Sequence, residues 1–113
     1  MRIGLVGPCK SGKSELKHAL QEHGFVVRHI AQEHSFAPKM WKTIGKPDVL
    51  IYLDVSFENT VIRGKLNWNQ ADYNAQLKRL ENARSHADLY IDTNKLSVEQ
   101  VIDTALEFIN GFK

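Results

Sequence analysis

The octapeptide Gly7-Pro8-Cys9-Lys10-Ser11-Gly12-Lys13-Ser14 constrains this chain more than any other stretch, because it meets the spacing G-x-x-x-x-G-K-[ST] at every specified position. Gly7 and Gly12 permit backbone angles that a Cβ forbids, so successive N–H groups can turn inward and form a nest for an anion. The flanks agree with this reading. Arg2-Ile3-Gly4-Leu5-Val6 is a short apolar strand, and the residues from Glu15 to Leu20 favour helix. A helix starting at the end of such a loop points its positive dipole end at the same anion. Lys13 would reach the outer phosphate oxygens, and Ser14 would offer a hydroxyl to Mg²⁺.

A chain of 113 residues is expected to form one domain over residues 1–113 around one modest core. Its formal charge of +2 is too small for a general nucleic-acid footprint, and the local run Lys39, Lys42 and Lys46 reads as a solvated loop. A single cysteine, Cys9, excludes an intramolecular disulfide framework and reads as a filler position in the loop. No stretch has the length and apolarity of a membrane span or signal sequence, so the expected location is cytoplasmic. Five histidines show no i,i+4 pair, and their spacing predicts no zinc site.

Strand and helix signals alternate along the chain. Leu16, Ala19 and Leu20 form one face of a first helix that Gly24 ends, and residues 25–30 are β-branched and aromatic enough for a second strand. A mixed loop or short helix then passes Met40 and Trp41 to turn signals at Gly45 and Pro47. Residues 48–55 are the most apolar run, as expected of a strand covered on both faces of a parallel sheet. Ser56 caps a weak helix that should not pass Leu66, and a firmer helix is expected over residues 69–84, with Tyr73, Leu77 and Leu80 on one face. A fourth strand at 87–92 and a last helix opened by the Ser97/Gln100 capping box and ended by Asn110-Gly111 complete the order. Such alternation predicts a three-layer αβα sandwich with a small, mainly parallel four-stranded sheet. Ligands in such sheets bind beyond the strands' carboxyl ends, a rim that would gather the loop, Gln32-Glu33-His34, Asp54-Val55-Ser56 and Asp92-Thr93-Asn94.

The loop resembles the Walker A motif of the P-loop NTPase superfamily. The order of features beyond it is similar to the P-loop kinase group that includes adenylate-kinase-like enzymes. That resemblance implies a P-loop nucleotide-binding fold, ATP and Mg²⁺ as ligands, and residues Gly7 to Ser14, that is Gly7, Pro8, Cys9, Lys10, Ser11, Gly12, Lys13 and Ser14, as the phosphate cradle. It places Arg63 against the adenine or its phosphates and the backbone of Thr93 and Asn94 at the edge of the base. Arg79 and Arg84 would be lid-type arginines that neutralise transition-state charge. Asp54 closes its strand in the manner of a Walker B carboxylate, which would join Ser14 on the metal. It can equally correspond to a later strand, in which case Glu33 takes the carboxylate's part. The chain departs from that group in length. Few residues join the second strand to the third, where the group carries an acceptor-binding insertion. Asn94-Lys95-Leu96-Ser97 also departs from the guanine-reading N-K-x-D, since Ser97 stands where the aspartate should be. Two functions follow as expectations: kinase-like phosphoryl transfer to a small-molecule acceptor or slow ATP hydrolysis, or a regulatory nucleotide-binding module completed by a protein partner or a second copy. In either case Lys13→Ala should largely abolish nucleotide binding and leave the fold intact, because the ammonium neutralises phosphate charge and packs little core.

Overall fold

A computed structural model describes residues 1–64 and 67–112. The order is β1 (Arg2–Val6), α1 (Lys13–Glu22), β2 (Val26–His29), a 3₁₀ turn (Gln32–His34), a π-helical turn (Trp41–Gly45), β3 (Val49–Asp54), α2 (Phe57–Gly64), α3 (Gln70–His86), β4 (Leu89–Asp92) and α4 (Val98–Gly111). All four strands are parallel, in the spatial order β2-β1-β3-β4. The expected strands and helices are present within a few residues of their predicted ends. The expected limit of the weak helix at Leu66 lies outside the described residues, and α2 is described to Gly64.

Strand parity divides the core in two. Ile3, Leu5, Val49, Ile51, Leu53 and Ile91 face α1 and α4, where Leu16, Leu20, Val101, Ala105 and Ile109 meet them. Val6, Leu50 and Tyr52 point to the other face, against Leu80 and Ala83 of α3 and Trp41 of the π-helical turn. The topology accounts for this arrangement. The chain steps from β1 outward to β2 in one direction and from β3 to β4 in the other, so crossovers of one hand must place α1 and α3 on opposite faces. The strand order therefore reverses between β1 and β3, and the crevice beyond their carboxyl ends is the expected place for a ligand.

β3 and β4 are each tied to the preceding neighbour in the sheet at their start by an aspartate. Asp48 accepts from the Arg2 N–H at 2.7 Å while its own N–H donates to the Arg2 carbonyl, and Asp88 does the same with Leu50 at 2.8 Å. These pairs extend the ladder by one reciprocal link and set the register from the amino-terminal side. α3 begins with a capping box between Asn69 and Asp72, and α4 with the expected one between Ser97 and Gln100. No helix among the described residues is long and apolar enough to cross a membrane.

Candidate functional site

The glycine-rich loop leaves β1 with Gly7 at φ 155°, and a Cβ there would lie 2.1 Å from the Leu53 carbonyl oxygen. Only glycine lets the loop cross the end of β3 so closely. Lys10 at φ 65° and Gly12 at φ 99° turn the chain again, and Gly12 precedes α1 without a side-chain cap. The first N–H groups of α1 thus open beyond the carboxyl ends of the strands with no capping oxygen from Gly12. The Ser11 hydroxyl is buried beneath the loop and has no hydrogen-bond partner among the described residues.

Lys13 runs back under this loop. Its ammonium donates to the carbonyls of Gly7 and Pro8 and forms an ion pair with Glu33 Oε2 at 2.5 Å, both side chains being only 4% exposed. Burial lowers the Lys13 pKa, and the Glu33 carboxylate opposes that shift. Glu33 arrives from the 3₁₀ turn after β2, the strand beside β1, and its second oxygen, Oε1, is buried without a partner. Next to it the Cys9 thiol lies 3.7 Å from His34 Nε2, which is 4.0 Å from Glu33 Oε2. Gln76 on α3 fixes the cysteine from the other side: its amide N–H donates to Cys9 Sγ at 3.1 Å, and its carbonyl oxygen accepts from the Cys9 N–H at 3.0 Å.

A cavity of about 740 Å³ opens over the loop. One wall is polar, formed by loop residues from Cys9 through Ser14 with Glu33 and His34, and the other is apolar, formed by Leu96, Val98, Val101 and Ile102 around the start of α4. Arg63 and Thr93 also line it. The Arg63 guanidinium donates to the Lys10 carbonyl at 3.1 Å, to Thr93 Oγ1 at 3.0 Å and to the Thr93 carbonyl at 2.7 Å, clamping the loop to the end of β4. Burial first, and the Lys13 charge second, lower the pKa of His29, which lines the same cavity.

Asp54, Arg79, Arg84 and Asn94 do not line the cavity. Asp54 shares strand parity with Leu50 and Tyr52, so its carboxylate turns to the α3 face, where it accepts from the Tyr90 hydroxyl and the Val55 N–H. Arg84 lies over the Tyr90 ring at 5.2 Å. Arg79 donates to the Glu33 carbonyl at 3.2 Å and stacks on Phe36 at 4.5 Å, so it steadies the turn that carries Glu33 from behind. The Asn94 side chain ties the end of β4 to the start of α2, accepting from the Ser56 N–H and the Asn59 amide, both at 2.8 Å. Ser14 is exposed at the second position of α1 and lines the cavity.

The Asp54–Tyr90 contact has a titration signature. Burial, followed by the neighbouring Asp54 carboxylate, pushes the Tyr90 hydroxyl up to about 12. The folded state then holds a proton that the unfolded chain releases near its ordinary value of about 10. Its contribution to stability is full below pH ~10 and is lost as pH rises through ~12. Ultraviolet titration of the native protein and of Tyr90→Phe should show the variant lacking a tyrosinate step near pH 12; a missing step near pH 10 instead would refute the coupling.

No protein-family model matches the chain, and no curated protein matches it. Sequence reasoning placed Glu33 and the loop on one rim but missed the group formed by Cys9, His34 and Gln76. One signal was available: Gln76 stands between Tyr73 and Leu80 on the inward stripe of α3, where a polar residue must have a partner.

Proposed function

We propose that the chain binds the polyphosphate of a purine nucleoside triphosphate, ATP in preference to GTP, and that its α/β fold is of the P-loop NTPase type. The observation that carries this reading is the setting of Lys13. Its ammonium is taken out of water at the first turn of α1 and held on carbonyls of the loop, beside a cavity large enough for a nucleotide. A phosphate seated on the loop amides and the start of α1 would take Lys13 over from Glu33. The apolar wall around Val98 and Ile102 suits the base, and Arg63 stands between the two ends. Ser97, whose hydroxyl accepts from the Gln100 N–H, has no carboxylate to read guanine.

The residues present fit Mg²⁺ carried in with the nucleotide. Such an ion takes most of its oxygens from phosphate and water, and the Ser14 hydroxyl at the cavity supplies the protein's one. When bound it would neutralise phosphate charge. Glu33, freed from Lys13, is the carboxylate placed to position an attacking hydroxyl or water, while Asp54 faces α3 and takes no part.

Titration calorimetry with Mg·ATP and Mg·GTP tests the reading. Saturable binding of ATP, tighter than GTP and weakened in Ser14→Ala when Mg²⁺ is present, is the expected result. Absence of binding, or equal affinity for both nucleotides, would sink it.

A binding module with little turnover is favoured over a stand-alone kinase by one observation. Arg79 and Arg84 lie outside the cavity, and Arg63 is engaged with Thr93, so no arginine among the described residues is free over the loop to take up transition-state charge. Hydrolysis by the isolated protein should therefore be slow, on the order of 10⁻⁴ to 10⁻² s⁻¹. Single-turnover assays at low and high protein concentration check this. Fast transfer by a demonstrated monomer would show the site to be complete.

A further inference from the structure

Cys9, Glu33 and His34 each offer a metal-ligating atom, and the three atoms lie within 4.8 Å of one another. They come from two loops, at the carboxyl ends of the neighbouring strands β1 and β2, so their convergence is a product of the sheet order and not of local spacing. We propose that they form a site for a borderline-soft divalent cation of the Zn²⁺ class, with a fourth position open to solvent.

Four observations support the assignment. At the bond lengths and tetrahedral angles of zinc, two ligand atoms stand about 3.5 Å apart. Cys9 Sγ to His34 Nε2 is 3.7 Å and His34 Nε2 to Glu33 Oε2 is 4.0 Å, both within about half an ångström of that spacing, and the three ligand atoms together span no more than 4.8 Å. Glu33 is 3% exposed and its Oε1 has no partner, while Lys13 holds only Oε2. A buried carboxylate oxygen without a donor is an acceptor in need of a cation or a proton. Gln76 holds Cys9 by two hydrogen bonds and aims an amide N–H at its sulfur, which is how the surroundings of a metal site orient and stabilise a thiolate. The exposed His34 ring gives the ion its way in from solvent. On binding, the Cys9 S–H bond breaks, a sulfur–metal bond forms, and the proton leaves to solvent.

Co²⁺ is the probe, used without nucleotide so that the result is independent of the phosphate reading; a failure here would leave Mg·ATP binding untouched, and the reverse. Titrating the reduced wild-type protein with Co²⁺ should give a 1:1 complex with a thiolate-to-cobalt charge-transfer band that stoichiometric Zn²⁺ removes. Cys9→Ser should lose the band, and His34→Ala, at an exposed position that does not endanger the fold, should weaken binding about 10-fold or more. A wild-type titration without the thiolate band, or His34→Ala binding as tightly as wild type, would overturn the site.

Discussion

Lys13→Ala should lose nucleotide binding and about 3–5 kcal/mol of stability in the same step, the range for an ion pair broken inside a protein. The sequence alone led to the first loss without the second, on the premise that this lysine packs little core. The buried pairing with Glu33 changes that premise. Removing the ammonium leaves a carboxylate that is out of water, already lacks a partner on Oε1 among the described residues, and loses the Lys13 donor on Oε2. The cost belongs to Glu33 more than to Lys13, and the double variant separates the two. Lys13→Ala/Glu33→Gln should recover most of the stability in urea unfolding, because a neutral amide is cheaper to bury than an unpaired charge. It should recover none of the nucleotide affinity in calorimetry. Additive effects of the two substitutions on stability would show that they do not depend on each other.

Gly7→Ala is the second large effect, expected at roughly 3–5 kcal/mol, near the upper end for single substitutions. The new methyl would meet the Leu53 carbonyl oxygen at 2.1 Å and the Ser11 hydroxyl at 2.9 Å, at a φ of +155° that L side chains rarely adopt. The carbonyl belongs to β3 backbone and has little freedom to retreat. Relief must come from the loop lifting off the sheet, which spoils the cavity as well as the packing. Gly12→Ala is the control. It has the left-handed φ of +99° but nothing within 4 Å of its Cβ, so only the backbone preference is lost, about 1–2 kcal/mol. Equal thermal shifts for the two variants would mean that the close crossing at Leu53 contributes nothing.

The contrast between the two glycines marks where sequence reading stops. Both are specified by one spacing, and their conformational freedom follows from it. Which of them touches another strand depends on β3 lying beside β1, and strand order is not written in local periodicity. The same boundary runs through the carboxylates. Asp54 ends the most apolar strand, whereas Glu33 lies in a polar turn beyond a weaker one, so hydrophobic patterning alone draws attention to Asp54. Parity places Asp54 with Leu50 and Tyr52, but that fact becomes decisive only once α3 is known to cover their face. Glu33 gains its position because β2 returns to pair with β1. Strands, caps and the loop were legible because each is set by neighbours in sequence. The ion pair beneath the loop and the thiol beside Gln76 were not, since they join residues 20 and 67 positions apart.

The order β2-β1-β3-β4 puts the first strand in the middle of the finished sheet. During synthesis the glycine-rich segment emerges ahead of the surfaces that shape it: Glu33 for its lysine, Leu53 for its first glycine, Gln76 for its cysteine and Thr93 for the arginine that clamps it. Contacts that span so much chain must await closure of large loops and slow the search for the native state. A nascent chain would therefore carry every residue of the motif before it can give the loop its native geometry. That geometry is complete only when the fourth strand docks and Arg63 can join Lys10 to Thr93.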